Sequence, residues 1–276
     1  MEQRTIVITG ASSGIGEAAA RTLAQTGDTI VVIGRSAQRT RAVAQDIGAD
    51  YFIADFSLLD QVAELAAALK EKYPRIDVLA NNAGGIMAGR ELTADGHEKT
   101  FQVNHLAPFL LTRLLQDTLL SSAAKVINTS SVAHVLFGKM DIADLELVKK
   151  YSSNRAYGNA KLANILFTKE LHRRFNTQGL SSAAFHPGGV ATNFSAGSKS
   201  SLRFLYGSGL RSYMLTPAQG AQTLVWLAIG EPGQDWRSGE YFAKSKAART
   251  SRQAEDANLA RAMWEESEKL VTPWLL

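Results

Sequence analysis

Tyr157 and Lys161 stand four residues apart, one turn of a helix. A phenol is a poor proton donor or acceptor near neutral pH, because its unperturbed pKa is about 10. An ammonium on the same helix face favours the phenolate and lowers that pKa. The pair is suited to general acid/base work. Far upstream, Gly10-Ala11-Ser12-Ser13-Gly14-Ile15-Gly16 follows a β-branched run and opens an alanine-rich stretch. Glycines so placed let the backbone turn tightly and approach a phosphate. A helix starting there offers unbonded N–H groups to an anion. Gly10, Ser12, Ser13, Gly14, Ile15 and Gly16 are therefore read as a dinucleotide loop. Together the two features predict proton transfer coupled to hydride transfer.

The end of the second strand selects the dinucleotide. A carboxylate there would hold a ribose 2′-hydroxyl and repel a 2′-phosphate. This chain has Gly34-Arg35-Ser36 instead, with Arg39 one turn on. Arginines suit a phosphate dianion through charge-assisted contacts. NADP(H) is therefore expected in preference to NAD(H).

These residues need a scaffold, and the chain supplies alternating strand and helix patterns. Strands are expected over 5–9, 29–33, 51–54, 77–80, 125–129, 180–185 and 241–243. Helices are expected from the glycine loop to about residue 26, and over 37–47, 58–72, 97–120, 157–174 and 217–229. Strands without polar alternation are covered on both faces. The expected fold is α/β, a single-domain Rossmann-type doubly wound parallel sheet with right-handed crossovers. The stretch 196–216 is rich in Gly and Ser but also carries Leu202, Phe204, Leu205, Tyr206, Tyr213 and Met214. It reads either as a mobile apolar segment beside a ligand cleft or as an amphipathic helix packed on the domain.

Composition sets bounds. One domain can hold all 276 residues, 1–276. Without cysteine there is no disulfide and no thiolate metal site; no metal site is assigned. No apolar run is long enough to span a bilayer. Strand-like sequence from Thr5 leaves no room for a signal peptide or an N-terminal anchor, so a cytoplasmic location is expected. The net charge of +4 is spread over groups such as Arg173/Arg174 and Arg203/Arg211. A nucleic-acid binder would gather it on one face.

Thr9-Gly10-xxx-Gly14-x-Gly16, Asn81-Asn82-Ala83-Gly84, Ser131, Tyr157-xxx-Lys161 and Pro187-Gly188 occur in the order found in the short-chain dehydrogenase/reductases. The resemblance spans nearly the whole chain. Val103-Asn104-His105-Leu106, Ser130-Ser131-Val132-Ala133-His134, Lys161 to Thr168, His186-Pro187-Gly188 and Ala262 to Ser267 resemble the retinol dehydrogenase-like branch. The resemblance implies Tyr157 as general acid/base. It implies that Lys161 lowers the tyrosine pKa and bonds the nicotinamide ribose. Ser131 would bond the substrate oxygen, and Asn104 would hold a proton-relay water behind Lys161. Asp55 and Phe56 would lie at the adenine, Asn82, Ala83 and Gly84 along the cofactor, and Pro187, Gly188, Val190 and Thr192 at the nicotinamide. From the residues alone, Ser130 reaches the cleft as well as Ser131 does. His186 reads as a structural residue closing a strand.

The stretch between Ser131 and Tyr157 is long, so 134–153 is expected to edge the substrate pocket together with 196–216. Their aromatic and aliphatic residues favour a bulky apolar carbonyl or alcohol. Members of the family often form homodimers or homotetramers through the helices bearing Asn104 and Tyr157.

Three other readings compete. Gly10-Ala11-Ser12-Ser13-Gly14 fits the nucleophile elbow of a serine hydrolase using Ser12, although the oxyanion loop of that fold normally precedes the elbow and only one strand does here. A non-catalytic NADP(H)-binding sensor or scaffold would have no need of a tuned phenol. An enzyme acting on a carrier-bound intermediate is not separated by sequence from one acting on a free substrate.

Overall fold

Short β-branched and aliphatic runs become strands packed on both faces. In β1 (Thr5–Thr9) every residue after the first is buried. The computed structural model describes residues 3–190 and 215–275. Stretch 196–216, apart from Leu215 and Thr216, lies outside them, as does Thr192. The remaining strands are β2 (Thr29–Gly34), β3 (Asp50–Ile53), β4 (Val78–Asn81), β5 (Lys125–Thr129), β6 (Ser181–His186), β7 (Glu240–Ala243) and β8 (Lys246–Ala247). They form one sheet in the order β3-β2-β1-β4-β5-β6-β7-β8. Every neighbouring pair is parallel except β7–β8. The sheet is doubly wound, and its strand order reverses between β1 and β4.

Alternate residues of each strand face opposite layers, as a period of two requires. Val7, Val31, Leu79 and Val126 join one core. It lies under α3 (Leu59–Lys72), α5 (Ala107–Leu114), α8 (Ser153–Phe175) and α10 (Ala257–Leu275). Ile6, Ile8, Val32 and Ala80 join the other, under α1 (Gly14–Leu23), α2 (Ala37–Ile47) and α9 (Pro217–Ile229). Thr216 begins α9 with a capping box closed by Gln219, and Pro217 sits where its missing N–H costs nothing.

The long helix expected over 97–120 is divided. Lys99–Phe101 (α4) leads into a π-helical segment, Gln102–Leu106, then α5; the chain breaks at Leu115 before α6 (Gln116–Ser121). Pro108 accounts for part of this, since it has no N–H for the carbonyl of Asn104 four residues back. Two further helices frame the site. The short α7 (Ala133–Leu136) follows β5, and α8 begins at Ser153, earlier than the expected Tyr157, because the Ser152 hydroxyl caps it by accepting from Arg155 N–H at 3.2 Å.

Helix α10 covers the outer faces of α5 and α8. Trp264 lies edge-on to Phe109 with ring centres 5.1 Å apart, and Arg174 sits 4.5 Å above its ring. No helix among the described residues is long and apolar enough to cross a membrane.

Trp264→Ala is expected to destabilise the protein by about 3–5 kcal/mol, the range for truncating a buried aromatic. Thermal or urea unfolding measures it. A change within experimental error would mean that α10 is not part of the cooperative core.

Candidate active site

Where the strand order reverses, loops after β1 and β4 turn apart and leave a cleft at the carboxyl edge of the sheet. The cleft has a volume of about 820 Å³. Its floor is the glycine loop. Gly10 and Gly14 take φ of +66° and +61°, a region that side-chain-bearing residues rarely enter. A Cβ on Gly10 would stand 2.8 Å from Ala83 Cα, and one on Gly16 would stand 2.5 Å from Gly10 O. No side chain caps the N-terminus of α1 at Ser13, so its first N–H groups are open to an anion. Thr9 fixes the facing wall: its hydroxyl oxygen accepts from the N–H groups of Asn82 and Ala83, both at 3.0 Å. Asn82 Nδ2 donates to Thr9 O at 3.0 Å. The backbones approach too closely for a side chain at Gly10 or Gly16, and the unbonded N–H groups at the start of α1 fit a dinucleotide pyrophosphate.

Gly10, Ser12, Ser13, Gly14, Ile15, Asn82, Ala83 and Gly84 all border the cleft. Gly16 does not; it lies behind the turn as a spacer. At one end stand Arg35, Arg39, Asp55 and Phe56. The Arg35 side chain is exposed, with its Nη1 3.9 Å from Asp55 Oδ2. Asp55 is steadied by the Ser57 N–H and hydroxyl, at 3.0 and 2.8 Å. Ser36 caps α2 and borders the cleft beside Arg39. At the other end are Ser131, Tyr157, Pro187, Gly188 and Val190.

Helix α8 brings the catalytic candidates there. Tyr157 keeps 7% of its surface exposed, and Lys161 keeps 1%. Lys161 Nζ lies 5.4 Å from the centre of the Tyr157 ring and donates to Thr129 O, the last carbonyl of β5, at 3.1 Å. Burial lowers the Lys161 pKa to about 7, since desolvation disfavours the charged form.

The two serines separate. Ser130 Oγ is turned away, donating to Lys161 O at 2.7 Å. Ser131 Oγ accepts from Ala133 N–H at 3.2 Å, which leaves its proton for a ligand. Buried His134 bonds Ser131 O through Nδ1 at 2.6 Å and accepts from Ser251 N–H at 3.3 Å through Nε2. Desolvation lowers its pKa. His186, at the end of β6, is lowered to about 4, first by burial and then by His134; that keeps it uncharged, in keeping with a structural residue.

Asn104 does not line the cleft. Its Nδ2 donates to Gly85 O and Thr100 O, both at 2.8 Å, and its Oδ1 accepts from Gly85 N–H at 3.1 Å. It holds the wall formed by Gly84 and Gly85. Sequence reasoning missed Gly85, Ile86, Met87, Lys99 and Val103 on that wall. Their position directly after Asn81-Asn82-Ala83-Gly84 and before Asn104 was the available signal. Ser12 lies in the loop, but among the described residues no hydrogen bond joins a histidine to it: His97, His105, His134 and His172 are bonded elsewhere.

The arrangement sets a phenol, a buried amine and a serine hydroxyl beside a phosphate cradle. Residues 4–202 match the model for the short chain dehydrogenase family. The chain is 42% identical to a protein named as a daunorubicin C-13 ketoreductase, DnrU, of Streptomyces sp. (strain C5), over 97% of this chain and 92% of that one. It is 37% identical to human retinol dehydrogenase 13, over 97% and 84%. An uncharacterised protein of Mycobacterium paratuberculosis has a similar structure, with a TM-score of 0.79 at 32% identity over 98% and 94% of the two chains. The chain belongs to the short-chain dehydrogenase/reductase family, in its retinol dehydrogenase-like branch, and is an oxidoreductase of the kind that uses a nicotinamide cofactor.

The depressed Lys161 pKa has a consequence for stability. An unfolded lysine titrates near 10.5 and the folded one near 7. Between those values the unfolded chain binds the extra proton, so stability rises with pH. The penalty for burying the charge is full below about 7 and fades above it. Lys161→Met should therefore raise the melting temperature of the cofactor-free protein more at pH 6 than at pH 9.5. An equal change at both would contradict a folded pKa near 7.

Proposed function

We propose that this protein transfers hydride between NADP(H) and a carbonyl/alcohol carbon of a bulky, largely apolar substrate, with Tyr157 as general acid/base. The observation that carries the reading is Tyr157 beside Ser131 at one end of a glycine-floored cleft, with the buried Lys161 Nζ 5.4 Å from the centre of the phenol ring. The nicotinamide, when bound, supplies or accepts the hydride. In the reducing direction Tyr157 gives its proton to the carbonyl oxygen. Ser131 donates its hydroxyl to the same oxygen and stabilises charge as it develops. Lys161 holds positive charge behind the phenol and favours its ionised form. Asn82, Ala83 and Gly84, with the first turn of α1, would bind the dinucleotide. Thr192 is proposed at the nicotinamide with Pro187, Gly188 and Val190.

Support for a bulky substrate comes from Ile86, Met87 and Val103 on the wall. The names of the relatives add to it, since both refer to large ligands carrying an oxidisable or reducible oxygen. Support for NADP(H) comes from Arg35 and Arg39 at the adenosine end, where a phosphate dianion would meet two guanidinium groups.

Tyr157→Phe should lower kcat by roughly a hundredfold or more, the scale of lost general acid catalysis, while leaving NADPH binding nearly intact. A screen of NADPH oxidation against aldehydes, ketones, steroids and retinoids supplies the assay. Substantial residual turnover by the variant would remove Tyr157 from its role.

Arg35→Ala should weaken NADPH binding by about tenfold or more and leave NADH binding little changed, in line with the loss of one charge-assisted contact. Wild-type preference for NADH, or equal loss with both dinucleotides, would defeat the NADP(H) assignment.

A further inference from the structure

We propose that Asn164 is a positioning residue for Lys161, acting through the Thr129 carbonyl that the two side chains share. The inference deepens the hydride-transfer reading and rests on it. Pro108 has no N–H, so the Asn104 carbonyl loses its ordinary helical partner. Asn164 Nδ2 supplies one, donating to Asn104 O at 3.1 Å. The same nitrogen donates to Thr129 O at 3.0 Å, the carbonyl that accepts from Lys161 Nζ at 3.1 Å. One amide thus ties the π segment to the end of β5 and shares an acceptor with the lysine.

The orientation of that amide is itself held. Both Nδ2 protons are engaged by carbonyls, so Oδ1 faces His105 Nδ1 at 3.2 Å. Nδ1 must then carry the proton, which leaves Nε2 as an acceptor 2.9 Å from Ser267 Oγ, whose one proton is shared with Met263 O at 2.7 Å. His105 is enclosed by Phe101, Phe109 and Phe167, and burial lowers its pKa to about 4. It is uncharged throughout the working range, so the chain keeps one polarity. Among the described residues, the titratable groups facing Lys161 are Tyr157 on its own helix and His105 on the π segment. The ends of β4 and β5 offer Gly84, the Thr129 carbonyl and Ser130.

A shared acceptor fixes where Nζ sits and limits how much of the carbonyl's charge it receives. A carboxylate at 164 would offset the ammonium and raise the pKa of the phenol beside it. Asn164→Asp is therefore expected to move the midpoint of the kcat–pH profile for alcohol oxidation up by about one unit. That is roughly tenfold slower turnover per folded enzyme on the rising limb. Asn164→Leu, close in shape but without the donor, leaves Thr129 O to Lys161 alone, steadies the ammonium and should move the midpoint down. A purely structural role would lower the melting temperature and leave the midpoint and the turnover per folded enzyme where they were. A soluble Asn164→Asp with the wild-type midpoint overturns the inference. If that variant does not fold, a wild-type midpoint in Asn164→Leu overturns it. Failure of the wild type to turn over any carbonyl or alcohol removes the hydride-transfer reading and this inference with it. Wild-type turnover with unmoved variants removes this inference alone.

Discussion

A lysine withdrawn from water must find oxygen acceptors, and the place available sets much of the structure. Lys161 finds Thr129 O at the carboxyl end of β5. That strand lies in the middle of the sheet, so its last carbonyl opens toward the cleft rather than toward solvent. Helix α8 has to lie where its third turn reaches this point. Polar contacts along the same face hold it there: Ser130 Oγ to Lys161 O, and Asn128 Nδ2 to Thr168 Oγ1 at 2.9 Å. Apolar burial alone would let a helix slide or rotate among similar packings. Buried hydrogen bonds are costly to leave unmade, so they select one register.

The same sheet makes the cofactor end of the cleft. Reversal of strand order between β1 and β4 sends their following segments in opposite directions. The Thr9 hydroxyl then clips the two strand ends together through Asn82 and Ala83. This brings backbone so close to backbone that Gly10 and Gly16 can carry no side chain. The glycine loop is thus as much a packing requirement as a binding one. Opening the N-terminus of α1 to an anion follows from the same turn.

Features written locally were legible in the chain. The β-branched runs gave β1, β2 and β5, the run from Pro217 gave α9, and the glycine loop gave the cradle. Helix period could not reveal the π segment, since one inserted residue leaves the apolar spacing of 97–120 nearly intact. Pro108 was visible, but its effect on the Asn104 carbonyl depends on what lies across from it. Asn164 was visible only as a letter in a family-like stretch; its partners come from β5 and from a carbonyl 60 residues earlier. Helix α10 was not among the expected helices, although Ala260, Met263, Trp264, Ser267 and Val271 fall on one stripe; the stripe does not say which helices it covers. Family likeness favoured Ser131, but the residues alone could not rank it against Ser130, because the distinction lies in the Lys161 carbonyl that takes the Ser130 proton.

Three histidines surround the Tyr157 end of the cleft, and burial disfavours the charged form of each. Burial is the leading cause in each case: it takes His105 and His186 to about 4 and lowers His134 as well. A buried imidazole that stays neutral is a directional hydrogen-bond fixture with one donor and one acceptor. His134 uses this to bind the Ser131 turn to the segment after β8, and His105 to orient Asn164. Desolvation acts on Lys161 too, but here it brings the pKa to about 7, where the charge is responsive rather than absent. One physical effect, applied to groups with different starting pKa values, thus fixes the frame and leaves the amine behind Tyr157 able to answer to pH.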